Sequence, residues 1–566
     1  MSSHFNREGY IQLYGPTTGD RVRLADTNLF IRVERDDSVP GSELLTGFGR
    51  PVRDGMLIGR QPGPSKLDLL VTNVVVLDPV LGVIKTNIGI KDGRIVGIGR
   101  AGNPDVTEDI DLILSASTGI VNGDGLIATP GGIDSHVHLS STSLIGAALT
   151  SGLTTLVAQG SGGVWDLGVN PAANLRHIFE AFESIPINLA LLGRGSSSRA
   201  HLEEHIEAGN AGLKVHEDVG AFPAVIDACL TVADQTGVQV AIHTDGLNEA
   251  GSLRETISAI AGRSIHAYHV EGSGGGHAPN LLEIVREANV IGSSTNPTIP
   301  YSKNSLAEQL DMIMAVHRLI PQIETDVAAA RDRIRAGTIA AEDVLHDLGA
   351  ISIMSSDSQG MGRIGEVISR TWQLAHRMKE LRGGGFDVET GEGDDNPRVL
   401  QYLAKYTLNP AIAHGLAHQV GSLEPGKLAD IILWHPAFFG AKPQAVIKGG
   451  FVAWAPVGDG VGSTRTSQPL IYRPMFGGIG LTPASISLNF VSQAALDGGF
   501  ATRHQLRRQA LAVENTRQTF KSAMRFNSSS PDVRVDTKSL EVSIDGEVVD
   551  SPPAESLPLT QRYFVA

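Results

Sequence analysis

Apolar residues in short aliphatic and alternating runs dominate the first 130 positions, and that texture predicts strands rather than helices. Leu69-Leu70-Val71 and Val74-Val75-Val76-Leu77 are continuous runs, Ile88-Gly89-Ile90 alternates, and Ile95-Val96-Gly97-Ile98 follows Asp92-Gly93. An Asp-Gly pair between two such runs predicts a tight hairpin turn, because both residues accept a positive φ. The same texture returns far downstream, in Leu428-Ala429-Asp430-Ile431-Ile432-Leu433-Trp434 and in Val446-Ile447-Lys448-Gly449-Gly450-Phe451-Val452. These late runs are predicted to join the early ones in one β-rich composite domain, residues 1–130 plus about 425–480.

Between these segments, over residues 131–424, short apolar runs alternate with helical periodicity. Strand candidates end near His138, Gln159, Leu192, His216, His243, His269, Ser294 and Asp357, with helical patterns at 170–184, 219–236 and 278–288. Eight strand–helix units in about 230 residues predict an α/β fold of the (β/α)8 TIM barrel type, with its active site at the C-terminal ends of the strands. The last crossover, about 297–350, is too long for one helix and must carry an excursion. Within it, Ser305-x-x-Glu308 reads as a capping box. Leu306, Leu310, Ile313 and His317 then fall at helical spacing on one face. Beyond about 480 the chain turns polar, with Ser528-Ser529-Ser530-Pro531 and Ser551-Pro552-Pro553 as breakers. Residues 481–566 read as a peripheral extension with a late hairpin, Leu540 to Val549.

Composition removes several function classes. A net charge of -15 over 566 residues argues against nucleic acid or an anionic membrane as the main partner. The single cysteine, Cys229, excludes an internal disulfide and a Cys-rich zinc site, and suits a reducing cytosol. It sits in an apolar helical pattern with Val225, Ile226 and Val232, the signature of core filling. No apolar run is long enough to span a bilayer, and the polar start carries no secretion signal, so the expected location is cytoplasmic.

Candidate chemistry gathers at the strand ends. In Gly131-Gly132-Ile133-Asp134-Ser135-His136-Val137-His138, alternate residues of a strand share a face, so His136 and His138 point the same way and offer two imidazoles to one ion. Lys214 and His216 share a face by the same parity. A cationic lysine beside metal-binding histidines is repelled, whereas a lysine carrying CO2 as a carbamate is anionic and presents two oxygens to two ions. His243 ends the fifth strand. Of His266 and His269 on the sixth, His269 stands at the end, and His266 is read as packing between barrel and helices. Asp357 ends the eighth. Four histidines, one lysine and one aspartate at five strand ends predict a two-metal hydrolytic centre.

These residues carry a family resemblance. The set resembles the amidohydrolase superfamily, and nearly the whole chain resembles the alpha (catalytic) subunits of ureases. The resemblance runs through Tyr14-Gly15-Pro16-Thr17-Thr18-Gly19-Asp20, Lys214 to Asp218, Gly272 to Pro279, Ile339 to Leu348, Ser355 to Gln359 and Gln561-Arg562-Tyr563-Phe564. It implies two nickel ions bridged by carbamylated Lys214, one completed by His243 and His269, the other by His136, His138 and Asp357. It implies that His216 binds the urea oxygen and that the carbonyls of Gly274 and Gly360 accept urea N–H groups. His317 would be the general acid on a flap, steadied by Asp218 with Arg333 nearby. Two small partner subunits (beta and gamma) in a higher oligomer, and nickel-insertion proteins, are implied as well. The chain departs from the family at Val316, where a cysteine is usual, at Gly360, where alanine is usual, and in Leu139-Ser140-Ser141-Thr142 and Gln159 to Trp165. These changes approach the pocket and spare the ligands. Alternatives stay open: a related two-metal hydrolase of another small amide or ureide, zinc in place of nickel, or a non-catalytic structural paralogue.

Overall fold

The computed structural model describes residues 6–60, 67–159, 172–216, 220–243, 252–273, 278–457 and 471–560. Asp92 and Gly93 take φ values of 49° and 75°, turning strand Gly82–Lys91 back into Arg94–Gly99. Strand Leu69–Asp78 pairs antiparallel with Gly82–Lys91 and parallel with Ile127–Pro130. Ile127–Pro130 in turn pairs antiparallel with Ile431–Trp434, so early and late segments share one sheet. Val74, Val76, Ile88, Ile90, Ile431 and Ile447 are buried together on it.

The chain passes from this sheet straight into a parallel barrel. Its strands are β1 (Gly132–His138), β2 (Leu153–Gln159), β3 (Asn188–Arg194), β4 (Gly212–Val215), β5 (Gln239–His243), β6 (Ile265–Tyr268), β7 (Val290–Thr295) and β8 (Ile353–Ser355), neighbours in that order. Closure comes from the segment after β8. The Asp357 amide donates to the His136 carbonyl at 2.9 Å, and the His138 amide donates to the Ser358 carbonyl at 2.9 Å. Those two bonds bring the carboxylate of the last strand against the histidines of the first.

A buried polar joint ties sheet to barrel. Asp430 accepts from Lys448 Nζ, from the Gly449 amide at 2.9 Å and from Asn188 Nδ2 at 2.8 Å. Two strands of the C-terminal segment, Leu488–Val491 and Gln509–Ala512, extend the barrel sheet outward from β3. Among the described residues no helix is long and apolar enough to cross a membrane. Cys229 is buried on helix α1 (Pro223–Thr236), and burial pushes its thiol up to about 12.

Two local expectations fail for physical reasons. Residues 278–288 form a tight 3₁₀ segment, Leu281–Arg286, in place of an α-helix, with the Glu287 amide donating to the Ile284 carbonyl. Helix α2 (Ser305–Val316) starts after Asn304 without a capping box. The Ser305 hydroxyl is taken by the Ser302 amide at 2.9 Å, and the Glu308 carboxylate by Arg363 at 2.6 Å and Arg370 at 3.2 Å. Tertiary partners outcompete the local cap.

Helix α4 (Ala336–Asp347), which follows α3 (Glu324–Asp332) in the long last crossover, buries Asp343. Asp343 Oδ2 accepts the Tyr301 amide at 2.9 Å, and burial pushes its carboxyl from 3.8 up to about 8. A carboxyl that holds its proton to higher pH when folded stabilises the fold fully below about pH 4 and loses that contribution as pH rises toward 8. Asp343→Asn keeps the acceptor and removes the ionisation. Its melting temperature is expected to exceed that of the parent by roughly 2–4 °C above pH 8, with the gap closing in acid. A gap independent of pH in thermal melts refutes this.

Candidate metal centre

Strand parity delivers the first ligand group. His136 and His138 end β1 on its inner face, with their Nε2 atoms 3.2 and 3.0 Å from Asp357 Oδ1. The potential ligand atoms of these three buried residues lie within 4.8 Å of one another. Asp357 takes φ 61°, a left-handed backbone that disfavours a residue with a Cβ. Its carbonyl collects the amides of Gly360, Met361 and Gly362 at 3.1, 2.8 and 2.7 Å, which hold the turn.

The second group needs backbone help. His269 follows β6 with φ 33°, again left-handed, and its Nε2 lies 2.7 Å from His243 Nδ1 at the end of β5. His216 continues the series. Ring centroids run from His138 to His216 at 5.6 Å, to His243 at 4.4 Å, to His269 at 4.2 Å, to His136 at 5.5 Å and back to His138 at 5.3 Å. Five imidazoles therefore close a ring at the barrel mouth.

Lys214 is fully buried beside them, with Nζ 3.6 Å from the centroid of the Tyr268 ring. His136 stacks on Tyr268 at 3.8 Å and 21°, and the Tyr268 hydroxyl donates to the Ser135 carbonyl at 2.6 Å. An imidazole that close fills one face of the phenol, leaving the other to the ammonium. Tyr268 thus props both a candidate bridging residue and a candidate ligand. Nothing in its residue type marks it for this role, and its parity with His266, read from the sequence as packing between barrel and helices, points the other way.

Burial holds the His136, His243 and His269 imidazoliums well below their ordinary range. Lys214 and neighbouring imidazoles push the same way, and Arg333 also bears on His243. Asp357 is also shifted down, though burial works against it: burial raises its carboxyl, and the nearby histidines and Lys214 outweigh that and lower it. Below the ring, burial pushes Asp134 up to about 7, against hydrogen bonds from Ser356 and the His136 amide. Neutral imidazoles and an ionised carboxylate are the donor set of a divalent transition metal. The hydrogen-bond count agrees. Both ring nitrogens of His136, His269 Nδ1 and Asp357 Oδ1 are buried without an aligned hydrogen-bond partner among the described residues. Buried groups left this way are rare unless something else satisfies them, and cations at the ring would.

The remaining candidates fall into three groups. His317 caps the end of α2, and Arg333 Nη1, just past α3, lies 3.0 Å from its Nε2. Ile313 and Met314 of α2 pack with Ala330 and Met361, next to Gly360. The buried face of α2 also includes Gln309, whose Nε2 donates to Ser273 Oγ at 2.9 Å, a polar member that an apolar stripe does not reveal. Asp218 and Gly274 lie outside the described residues. His266 overturns its expectation. The register Lys214↔Ala241↔His266 puts it on the inner face with Lys214, and its Nδ1 meets His414 Nε2 at 2.9 Å.

Gly360 leaves room that a side chain would fill. A Cβ there would stand 2.6 Å from Asp357 Oδ1 and 2.7 Å from His138 Nε2, and closer still to His138 Cδ2. Gly360→Ala is expected to displace both side chains and weaken binding of a divalent ion by about tenfold or more, with little change in melting temperature. Unchanged affinity in a chelator competition refutes the close fit.

A closed parallel barrel whose strand ends converge neutral imidazoles and a carboxylate defines a metal-dependent hydrolase of the α/β class. The chain belongs to the amidohydrolase family, whose profile matches residues 127–468. A second profile, the N-terminal domain of the urease alpha-subunit, matches residues 3–121. Similar solved structures include a D-hydantoinase (18% identity, 68% of this chain and 95% of that one, TM-score 0.49). Others are the dihydropyrimidinase from Brevibacillus agri NCHU1002 (15%, 68% and 94%, TM-score 0.47) and the D-hydantoinase (dihydropyrimidinase) from Thermus sp. (15%, 68% and 95%, TM-score 0.47).

Proposed function

We propose that this chain is the catalytic subunit of a urease, converting urea and water to ammonia and carbamate, which then decays to ammonia and bicarbonate. One observation carries the reading: a single chain joins a match to the urease alpha-subunit N-terminal domain with a barrel rich in amidohydrolase ligands. His136, His138 and Asp357 would hold one nickel ion, His243 and His269 a second, and a carbamate formed from CO2 on Lys214 would bridge them. Zinc fits the same donors. When bound, the ions supply Lewis acidity, polarising a carbonyl and acidifying water.

The protein's own groups do the rest. His216, inside the ring of imidazoles, donates a hydrogen bond to the urea oxygen, and the carbonyls of Gly274 and Gly360 accept urea N–H groups. His317 delivers the proton to the departing nitrogen, and Asp218 orients it. Arg333 offers only donors, so at 3.0 Å the Nε2 of His317 accepts, and the ring is neutral with its proton on Nδ1. The ring becomes the acid once Arg333 releases Nε2 and a proton binds there. The helices α2 and α3 that carry this pair pack against Met361, and in that place they would shield the leaving group from bulk water.

Small partner subunits would cover the exposed apolar side chains Ile471, Phe476, Ile479 and Leu481, and the expected location is the cytoplasm. Nickel-insertion proteins would load the centre. A second reading, hydrolysis of another small amide or ureide, is permitted by the changes that approach the pocket, Gly360 and Leu139-Ser140-Ser141-Thr142 among them. Ammonia release from urea by nickel-loaded protein in bicarbonate tests the first reading. Turnover of ureides with none of urea would replace it with the second.

A further inference from the structure

Gln309 is a fully buried polar residue of α2, the helix that ends at His317. Its Nε2 donates to Ser273 Oγ at 2.9 Å and lies 4.0 Å from Met361 Sδ, while its Oε1 meets no donor among the described residues. Chemistry fixes the way the carboxamide points. The Ser273 hydroxyl donates to Glu271 Oε1, and the Ser273 amide donates to the same oxygen at 2.8 Å. That hydroxyl has given its only proton, so it takes an N–H from Gln309 and could not satisfy the oxygen.

The turn that receives this bond adjoins a candidate ligand. The Gly272 amide donates to the His269 carbonyl at 3.0 Å, so Glu271 and Ser273 continue directly from His269. The same turn meets the chain beyond α3. A Cβ on Gly272 would lie 3.5 Å from Arg335 Nη1. Burial lowers the Arg335 guanidinium, and the charge of Glu271 opposes that. Arg335 stands two residues past Arg333, which is bonded to His317. One turn therefore bears on α2 ahead of His317 and on the segment just after Arg333.

Ile313 and Met314 hold α2 by apolar contact, which has no direction of its own. The Gln309 bond supplies one. His317 follows eight residues on, about 12 Å along the helix, and a shift of about 1 Å in a reacting group can cost roughly 10²-fold in rate. We infer that Gln309 is a positioning residue for His317: its bond to Ser273 ties α2 to the turn after β6 and so sets where the acid stands relative to the imidazole ring. This inference rests on the reading that His317 is the acid in urea hydrolysis.

The test is urea hydrolysis by the full-length, nickel-loaded protein, read as kcat and KM, with metal content and melting temperature measured alongside. Gln309→Met keeps the length and loses the donor. It is expected to lower kcat by about tenfold or more, with KM and metal content nearly unchanged. In a His317→Ala background the same substitution is expected to cost nothing further, because Gln309 acts through that ring. Gln309→Glu can donate only while its carboxyl is protonated, so its rate relative to the parent at the same pH is expected to recover as pH falls. If the methionine variant melts early, Ser273→Ala breaks the same bond from the other side and takes its place. Parental kcat in the methionine variant overturns the inference, and so does a raised KM with kcat unchanged. An equal further loss in the His317→Ala background overturns it too, as does a glutamate variant that stays slow in acid. An active parent whose His317→Ala variant keeps full rate removes the acid assignment and this inference with it. A parent inactive on urea removes the urease reading on which both stand.

Discussion

Lys214→Ala is expected to empty the metal centre as a unit, with affinity for both ions falling by more than about 100-fold and hydrolysis falling to background. In the proposed function the lysine carbamate is the only anion shared by the two ions. Removing it leaves two cations close together with mostly neutral imidazoles around them, and their repulsion is then uncompensated. The barrel itself should survive, because Lys214 occupies one inward position flanked by Tyr268 and the imidazole ring rather than a joint between elements. Metal analysis after dialysis separates the possibilities. Two tightly held ions in the variant would refute the carbamate bridge. Loss of a single ion would assign Lys214 to one site only.

His317→Ala is expected to do the opposite: keep both ions and lose rate by about 10²–10⁴-fold, the usual worth of a positioned general acid. His317 stands at the end of α2 and is bonded to Arg333, apart from the five-imidazole ring. Its removal takes nothing from the ligand set. The substrate still meets His216, so binding should suffer less than turnover. His136→Ala is the contrast, since its Nε2 faces Asp357 Oδ1 at 3.2 Å within the candidate ligand group, and it should lose metal. Metal loss in the His317 variant, or full rate on urea, would remove the acid assignment.

Much of the site was legible because strand parity is a local property. Alternation in β1 put His136 and His138 on one face before any partner was known. The positions of His216, His243 and Asp357 followed from where apolar runs stop and a barrel keeps its chemistry. His269 is legible from its place at a strand end, yet it reaches His243 from a left-handed backbone at φ 33° that no pattern announces. His266 departs from its expected outward place because the faces of β6 follow from its register with β4 and β5, which is set by long-range hydrogen bonds. The capping box failed for a related reason. Ser305 and Glu308 have the right local chemistry, but Ser302, Arg363 and Arg370 reach them first.

By itself, then, the sequence determined the barrel, the inward residues of its strand ends and the kind of chemistry they offer, since all three depend on periodicity and residue type. Tertiary structure decided which of those residues meet. The bonds from Asp357 to His136 and from His138 to Ser358 close the barrel, and only that closure brings a carboxylate from position 357 within 3.2 Å of histidines more than two hundred residues earlier. It also decided what stands behind the ligands, seating Tyr268 beneath His136 and Gln159 against His138. Such contacts join residues far apart in the chain, and their energies come from burial and packing, which no local pattern encodes.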